Sequence, residues 1–207
     1  IQKDATAICP GVEVNIDHHT GITFITKKEV LSVIKFANGR KAEGSVVSEM
    51  SLQTMENALL KLPHVATAQV YFDIQHRLHA TITQRRPIMR ILNNDGVGYY
   101  VGINNERIPL KSTFTAHVPV VTGFVLKNQD PKRDSSLQNA LFLLVNVLQK
   151  DPYLNALIHQ IDVLENDEVV LIPNGLKHSI QFGKADERIE AKLENIKAIH
   201  LHGLPHV

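Results

Sequence analysis

The chain has 207 residues, 43% of them hydrophobic, and a net charge of +1 from balanced Lys+Arg and Asp+Glu. That length suits one large domain or two small ones and allows roughly 70% of the unfolded surface to be buried. The charge balance argues against a nucleic-acid field, no stretch reaches the ~20 apolar residues of a membrane span, and the single cysteine, Cys9, excludes an internal disulfide.

Ile8 precedes Cys9 where a bacterial lipoprotein site would want a small residue, so Cys9 reads as an incidental thiol near a disordered end. Val12, Val14 and Ile16 alternate with Glu13, Asn15 and Asp17, the period of a strand with one wet face. His18-His19-Thr20-Gly21 reads as its closing turn. Thr26 and Glu29 form a capping box, with Ile25 and Val30 as the hydrophobic staple, and Val30, Val33, Ile34 and Ala37 mark one face of the helix that follows. Asn38-Gly39 stops it. Ser51 caps a second helix lined by Leu52, Met55, Leu59 and Leu62, and Pro63 ends it. Ala66, Ala68, Val70, Phe72 and Ile74 then alternate with polar residues, Asp73 among them. After a turn at Gln75-His76, Leu78, Ala80 and Ile82 do the same, which predicts a hairpin covered by the two helices.

Pro87 marks a hand-over, since proline sits poorly inside a central strand. Met89–Leu92 and Tyr99–Ile103 read as strands around a turn at Asn93–Gly98, with another turn at Asn104-Asn105. Val118–Gly123 is a short apolar segment. The polar stretch Gln129–Ser136 leads to a helix capped by Asp134 or Ser135 and buried along Leu137, Leu141, Leu144, Val145 and Leu148. Asp151-Pro152 restarts a helix with cap and first-position proline. Ile161–Leu164 and Glu168–Ile172 flank Asn166-Asp167 as a hairpin, Pro173-Asn174-Gly175 turns the chain into Lys177–Phe182, and a last helix from Asp186 buries Ile189, Leu193 and Ile196. Gly203 and Pro205 are its stop signals. The fold class expected is α+β: a small β-α-α-β-β domain followed by a mostly antiparallel β domain with flanking helices.

No phosphate-binding loop, dinucleotide fingerprint, nucleophile elbow or zincin motif is present. His200, His202 and His206 follow no standard zinc spacing, and a solvated helix end accounts for them. His18-His19 is a weaker ligand pair still, and of His76 and His79 only His79 falls on the wet face of the hairpin. Arg85, Arg86 and Arg90 lack the glycines that would wrap a phosphate. Gly96-x-Gly98 beside Tyr99-Tyr100 reads as a turn into a strand, and Asp162, Asp167 and Glu168 as the polar parts of a hairpin. These residues assemble no nucleophile, base and orienting partner, so the expectation is a binding protein with no catalytic residue, metal or cofactor.

Five segments in order resemble one family. They are Leu62-Pro63-His64-Val65 with Ala68-x-Val70; Gln84-Arg85-Arg86-Pro87-Ile88; Tyr100-Val101-Gly102 with Asn105–Pro109; Val118–Gly123; and Ile180–Gly183 before the Lys192–Lys197 helix. The pattern is similar to that of the bacterial cell-division proteins of the FtsQ/DivIB family, most closely its Bacteroidota versions. His64 stands where an aromatic is usual and Gly102 where Asp is commoner.

The resemblance implies a membrane-proximal segment over 1–11, a POTRA domain over 12–86 and a β domain over 87–207, joined at Arg85, Arg86 and Pro87. It implies a single transmembrane helix upstream of Ile1 in the inner membrane, with this region in the periplasm, and a final strand beyond Val207. The partners implied are the FtsB–FtsL pair, bound by strand addition to the β domain, and earlier division proteins at the POTRA domain. Ile161–Leu164 and Lys177–Phe182 would border the partner strand, with His159 and Gln160 as contact residues. The alternative is a POTRA module of outer-membrane assembly or polypeptide transport, although no second copy of the module is visible.

Overall fold

A computed structural model of the chain describes residues 6–17, 21–93, 96–123 and 131–203. It divides into two compact units, Ile1–Arg86 with Lys111–Thr115, and Pro87–Leu110 with Ala116–Val207. His18, His19, Pro205 and His206, and the side chain of Ala37, lie outside the described residues.

The first unit is built from β1 (Val12–Asp17), α1 (Lys27–Asn38), α2 (Leu52–Leu60), β2 (Val65–Phe72) and β3 (Leu78–Gln84). The three strands form a sheet in the order β1-β3-β2, with β1 parallel and β2 antiparallel to the central β3. The expected capping box is present and reciprocal: the Thr26 N–H donates to Glu29 Oε2 at 2.8 Å, and the Glu29 N–H donates to Thr26 Oγ1 at 3.3 Å. Ser51 Oγ accepts the Thr54 N–H and caps α2. Ile25, Val30 and Ile34 from the α1 side, Met55 and Leu59 from α2, and Leu78, Ala80 and Ile82 from β3 are buried together on one face of the sheet.

The hairpin departs from simple alternation at both ends of β2. Ile74 is 91% exposed and Ala66 is exposed, so neither belongs to the core face, and Phe72 is only half-buried. A bulge between Val65 and Thr67 shifts the register at the start of β2. At the far end Asp73 is not a strand residue: Oδ1 accepts the N–H groups of Gln75 and Arg77, which turns the chain and throws Ile74 outward. Cys9 is not at a loose end either. It is fully buried, and its backbone exchanges hydrogen bonds with Ser45 and Gly44 beside an Ile8–Val46 bridge.

The second unit carries a seven-stranded sheet in the order β10-β9-β8-β7-β4-β5-β6. Its strands are β4 (Pro87–Leu92), β5 (Gly98–Gly102), β6 (Arg107–Pro109), β7 (Val120–Gly123), β8 (Ile158–Val163), β9 (Val169–Pro173) and β10 (Ile180–Gly183). The β4–β7 and β7–β8 pairs are parallel and the other four antiparallel, so the fold is the α+β class expected. β4 is an interior strand, and Pro87 fits because it is the first residue of that strand. β6 has no counterpart in the sequence reading, since three residues are too few to show a period. Ile103, expected in β5, lies in the turn after it and is exposed.

Helices α3 (Pro131–Lys150), α4 (Pro152–Leu157) and α5 (Ile189–Ala198) supply Leu141, Leu144, Leu148, Leu154, Ile189 and Leu193 to the core of this unit. α3 begins earlier than expected: Asp134 lies in its first turn and Ser135 just after it, and neither caps it, because Pro131 fills the first helical position. Asp151 caps α4 by accepting the N–H groups of Tyr153 and Leu154. After α5 the chain closes in a π turn over Ile199–Gly203.

Candidate partner-binding edge

A sheet edge presents main-chain groups that another strand can pair with, unless the edge is blunted. The two edges of the seven-stranded sheet differ in this respect. β6 is short, with only Ile108 buried, and ends in Pro109, which has no N–H to offer. Its Arg107 is committed inward, with Nε donating to Gln138 Oε1 at 3.1 Å and the guanidinium 4.5 Å from the centroid of the Tyr99 ring. β10 has no proline and, among the described residues, pairs only with β9.

β10 is held firmly from behind. A bulge between Gln181 and Gly183 turns Phe182 into the core, where it is 5% exposed, and leaves Gln181 outside. Lys192 of α5 donates to the Lys184 carbonyl at 2.7 Å and lies 5.1 Å from the Phe182 ring centroid. Asp186 joins the same corner: it accepts the Arg188 N–H at 3.0 Å and pairs with Arg188 and Lys192, which hold its carboxyl well below the usual carboxylate range. Farther along α5, Lys197 pairs with Asp151 at 2.5 Å and lowers that carboxyl too.

An apolar rim accompanies the strand. Leu176, in the segment leading to β10, and Ile199 and Leu201 of the π turn are exposed. The rings of His178 and His200 lie 5.2 Å apart. His200 is buried, and burial together with His178 pushes its imidazole below the ordinary value. The arrangement offers backbone hydrogen bonds along one line and apolar contacts at its end, the chemistry of strand addition.

The residues singled out in the sequence take varied places. His159 is exposed and lies where the β8–β9 register shifts, and Gln160 donates to Thr122 Oγ1 at 3.2 Å. Both are on β8, whose main chain is paired on one side with β7 and on the other with β9. Arg85 Nε donates to the Val65 carbonyl and its N–H to the His64 carbonyl, which ties the end of β3 to the start of β2. Arg86 is exposed and Pro87 is buried at the start of β4. Arg90 lies over the Tyr100 ring at 5.8 Å. Tyr99 and Tyr100 do not share a cleft: Tyr99 Oη donates to Gln138 Oε1, and Tyr100 Oη accepts the Ala116 N–H. Asp162 accepts from Thr122 Oγ1, and Asp167 takes the Arg133 guanidinium. A cleft of about 640 Å³ beside Asn105, Arg107 and Asp134 has Gln138 in its wall with both ends of the amide hydrogen-bonded. Among the described residues no group of three or more His, Cys, Asp or Glu is placed to hold a metal ion. No described helix is long and apolar enough to cross a membrane.

A small β-α-α-β-β unit followed by a mostly antiparallel sheet with flanking helices defines a protein of the POTRA-plus-β-domain class. Residues 86–207 match the family model described as FtsQ/DivIB, C-terminal related, and residues 7–83 match that of a POTRA-like domain. The chain belongs to the FtsQ/DivIB C-terminal-related family. That family comprises non-enzymatic, membrane-associated, division-related scaffolds. No curated protein matches the chain.

Proposed function

We propose that this chain is a non-enzymatic periplasmic scaffold of the bacterial division machinery, which binds an FtsB–FtsL-type coiled-coil pair by accepting a partner strand on β10. The earlier division proteins are engaged through the POTRA-like unit, and Arg85, Arg86 and Pro87 form the junction between the modules. The observation that carries the reading is the contrast of edges: β6 ends in Pro109, while β10, among the described residues, pairs only with β9 and is braced by Lys192 and Asp186. Gln160 contributes a side-chain contact only, because it is in register with both β7 and β9, while His159 offers an exposed side chain at the register shift of β8.

The test is hydrogen exchange of the protein titrated with the periplasmic FtsB–FtsL-type pair from the same organism. The expected result is saturable binding with new amide protection over Ile180–Gly183 and none over β6. Protection elsewhere, or no binding, would remove strand addition at β10. Binding of an unfolded outer-membrane β-hairpin peptide in its place would favour the transport-type reading of the POTRA-like unit.

A further inference from the structure

In the first unit, α1 and the segment after it enclose a cleft of about 400 Å³. Its floor is apolar and recessed: Ile34 is 1% exposed and Ala42 4%, with Leu31 at the lip, 38% exposed. Lys28 and Lys35 stand two turns apart on the same face of α1, with Leu31 between them. Lys41 closes the rim from the following segment. Among the described residues, the only carboxylate lining the cleft is Glu43, so the rim carries an excess of positive charge.

The helix's own acidic residue does not balance that charge. Glu29 is engaged by Thr26 and by Lys111, whose ammonium lies 2.5 Å from Glu29 Oε1. Burial raises the Glu29 carboxyl, but these hydrogen bonds outweigh it and hold the group below its ordinary value, as a committed anion. Lys28, Lys35 and Lys41 make no ion pair among the described residues. Three solvated cations therefore surround an apolar floor that no described residue of the unit covers.

We propose that this cleft docks an acidic amphipathic peptide segment of a partner protein. One aliphatic side chain sits on the Ile34–Ala42 floor beside Leu31, and its flanking Asp or Glu side chains meet Lys28, Lys35 and Lys41. Charge complementarity selects the sign of the partner, and the recessed floor selects its shape. A bilayer surface would reach the lysines and Leu31 but not the floor. A membrane-surface helix also presents its apolar face outward, whereas α1 turns Val30 and Ile34 into the core. The inference goes beyond strand addition and does not depend on it, since the cleft lies wholly in the first unit and β10 in the second.

The experiment uses the 207-residue chain, isotope-labelled, with amide resonances followed during three titrations. The probes are a short amphipathic peptide of glutamate and leucine, its lysine and leucine counterpart, and vesicles containing phosphatidylglycerol. The expected result is a saturable response of the Leu31, Ser32 and Ala42 amides to the glutamate peptide alone, weakened by added salt. The double variant Lys35→Glu, Lys41→Glu is expected to weaken that binding about tenfold. Ser32→Trp, at an exposed position facing the cleft, blocks it without altering charge. Thermal melts confirm that both variants are folded. No saturable response of the unmodified chain, or an equal response to the lysine peptide, overturns the proposal. Binding to the vesicles without binding to the peptide also overturns it and makes the face a lipid contact.

Discussion

The side-chain carbonyl of Gln84 accepts the main-chain N–H of Ile25 at 2.8 Å, across 59 residues of chain. The same amide donates to the Ile22 carbonyl at 2.9 Å and the Asp17 carbonyl at 3.1 Å. Gln84 is 7% exposed, so one side chain at the end of β3 satisfies three main-chain groups that flank the start of α1. Gln84→Ala is expected to destabilise the first unit by about 1–3 kcal/mol, because the buried Ile25 N–H loses its acceptor. Gln84→Glu keeps the Ile25 bond but aims an oxygen at two carbonyls, so it destabilises as well. Urea unfolding measures both, and a change below about 0.5 kcal/mol in the alanine variant would show that water replaces the amide.

Phe72 lies on the same strand as the buried Val70 but is half-buried, because the chain leaves the sheet immediately after it. Truncating it removes less contact than truncating Leu59, which is fully buried on α2. Phe72→Ala is expected to lower stability by about 1–2 kcal/mol and Leu59→Ala by about 2–5 kcal/mol. The order of the two, read from denaturation midpoints, is the test; a larger effect at Phe72 would place its ring under the helices.

These cases show where sequence reasoning reaches and where it stops. Thr26 and Glu29 were legible because a capping box is local, and Leu78, Ala80 and Ile82 because a central strand covered on one face must alternate. Ile74 misleads because a period does not announce its end; the signal lay in Asp73, whose short carboxylate can organise a turn. Asp134 and Ser135 suit a cap and the start of a helix alike, and Pro131 was the residue that decided between them. Strand order is nonlocal. β8, carrying His159 and Gln160, lies between β7 and β9 and is interior, and among the described residues β10 stands at the edge. The lysine-rimmed cleft was hidden for the same reason, since Lys28 and Lys41 meet only once α1 has packed.

Gly123 ends β7 with φ +87°, and a Cβ there would run into the Val163 carbonyl oxygen of the neighbouring β8. Gly175 also has a positive φ, +71°, but faces open space. Gly175→Ala therefore bears only the backbone term, about 1 kcal/mol, while Gly123→Ala adds a steric clash with main chain that cannot move without breaking the β7–β8 pairing. The expected ratio of destabilisation is about threefold, with Gly123 the larger. Equal melting shifts would mean that β7 yields freely at its end.

Stability should fall in two separate windows as the pH drops. The His200 imidazole, depressed by burial and by His178, is less ready to take a proton in the folded state than in the unfolded chain. Its contribution is complete above the ordinary imidazole value and is lost as the pH falls through the lowered folded one. Asp73 behaves in the same sense at much lower pH. Its carboxylate, 2.8 Å from His79 Nε2, is lowered chiefly by that hydrogen bond, so its contribution holds above the ordinary aspartate value and is lost in strong acid. Melting temperatures between about pH 7.5 and 5.5 are therefore expected to decline in the unmodified chain and to decline less in His200→Leu. Asp73→Asn should leave that near-neutral step intact and reduce only the acid limb. An unchanged near-neutral decline in His200→Leu would assign the step to another of the chain's histidines.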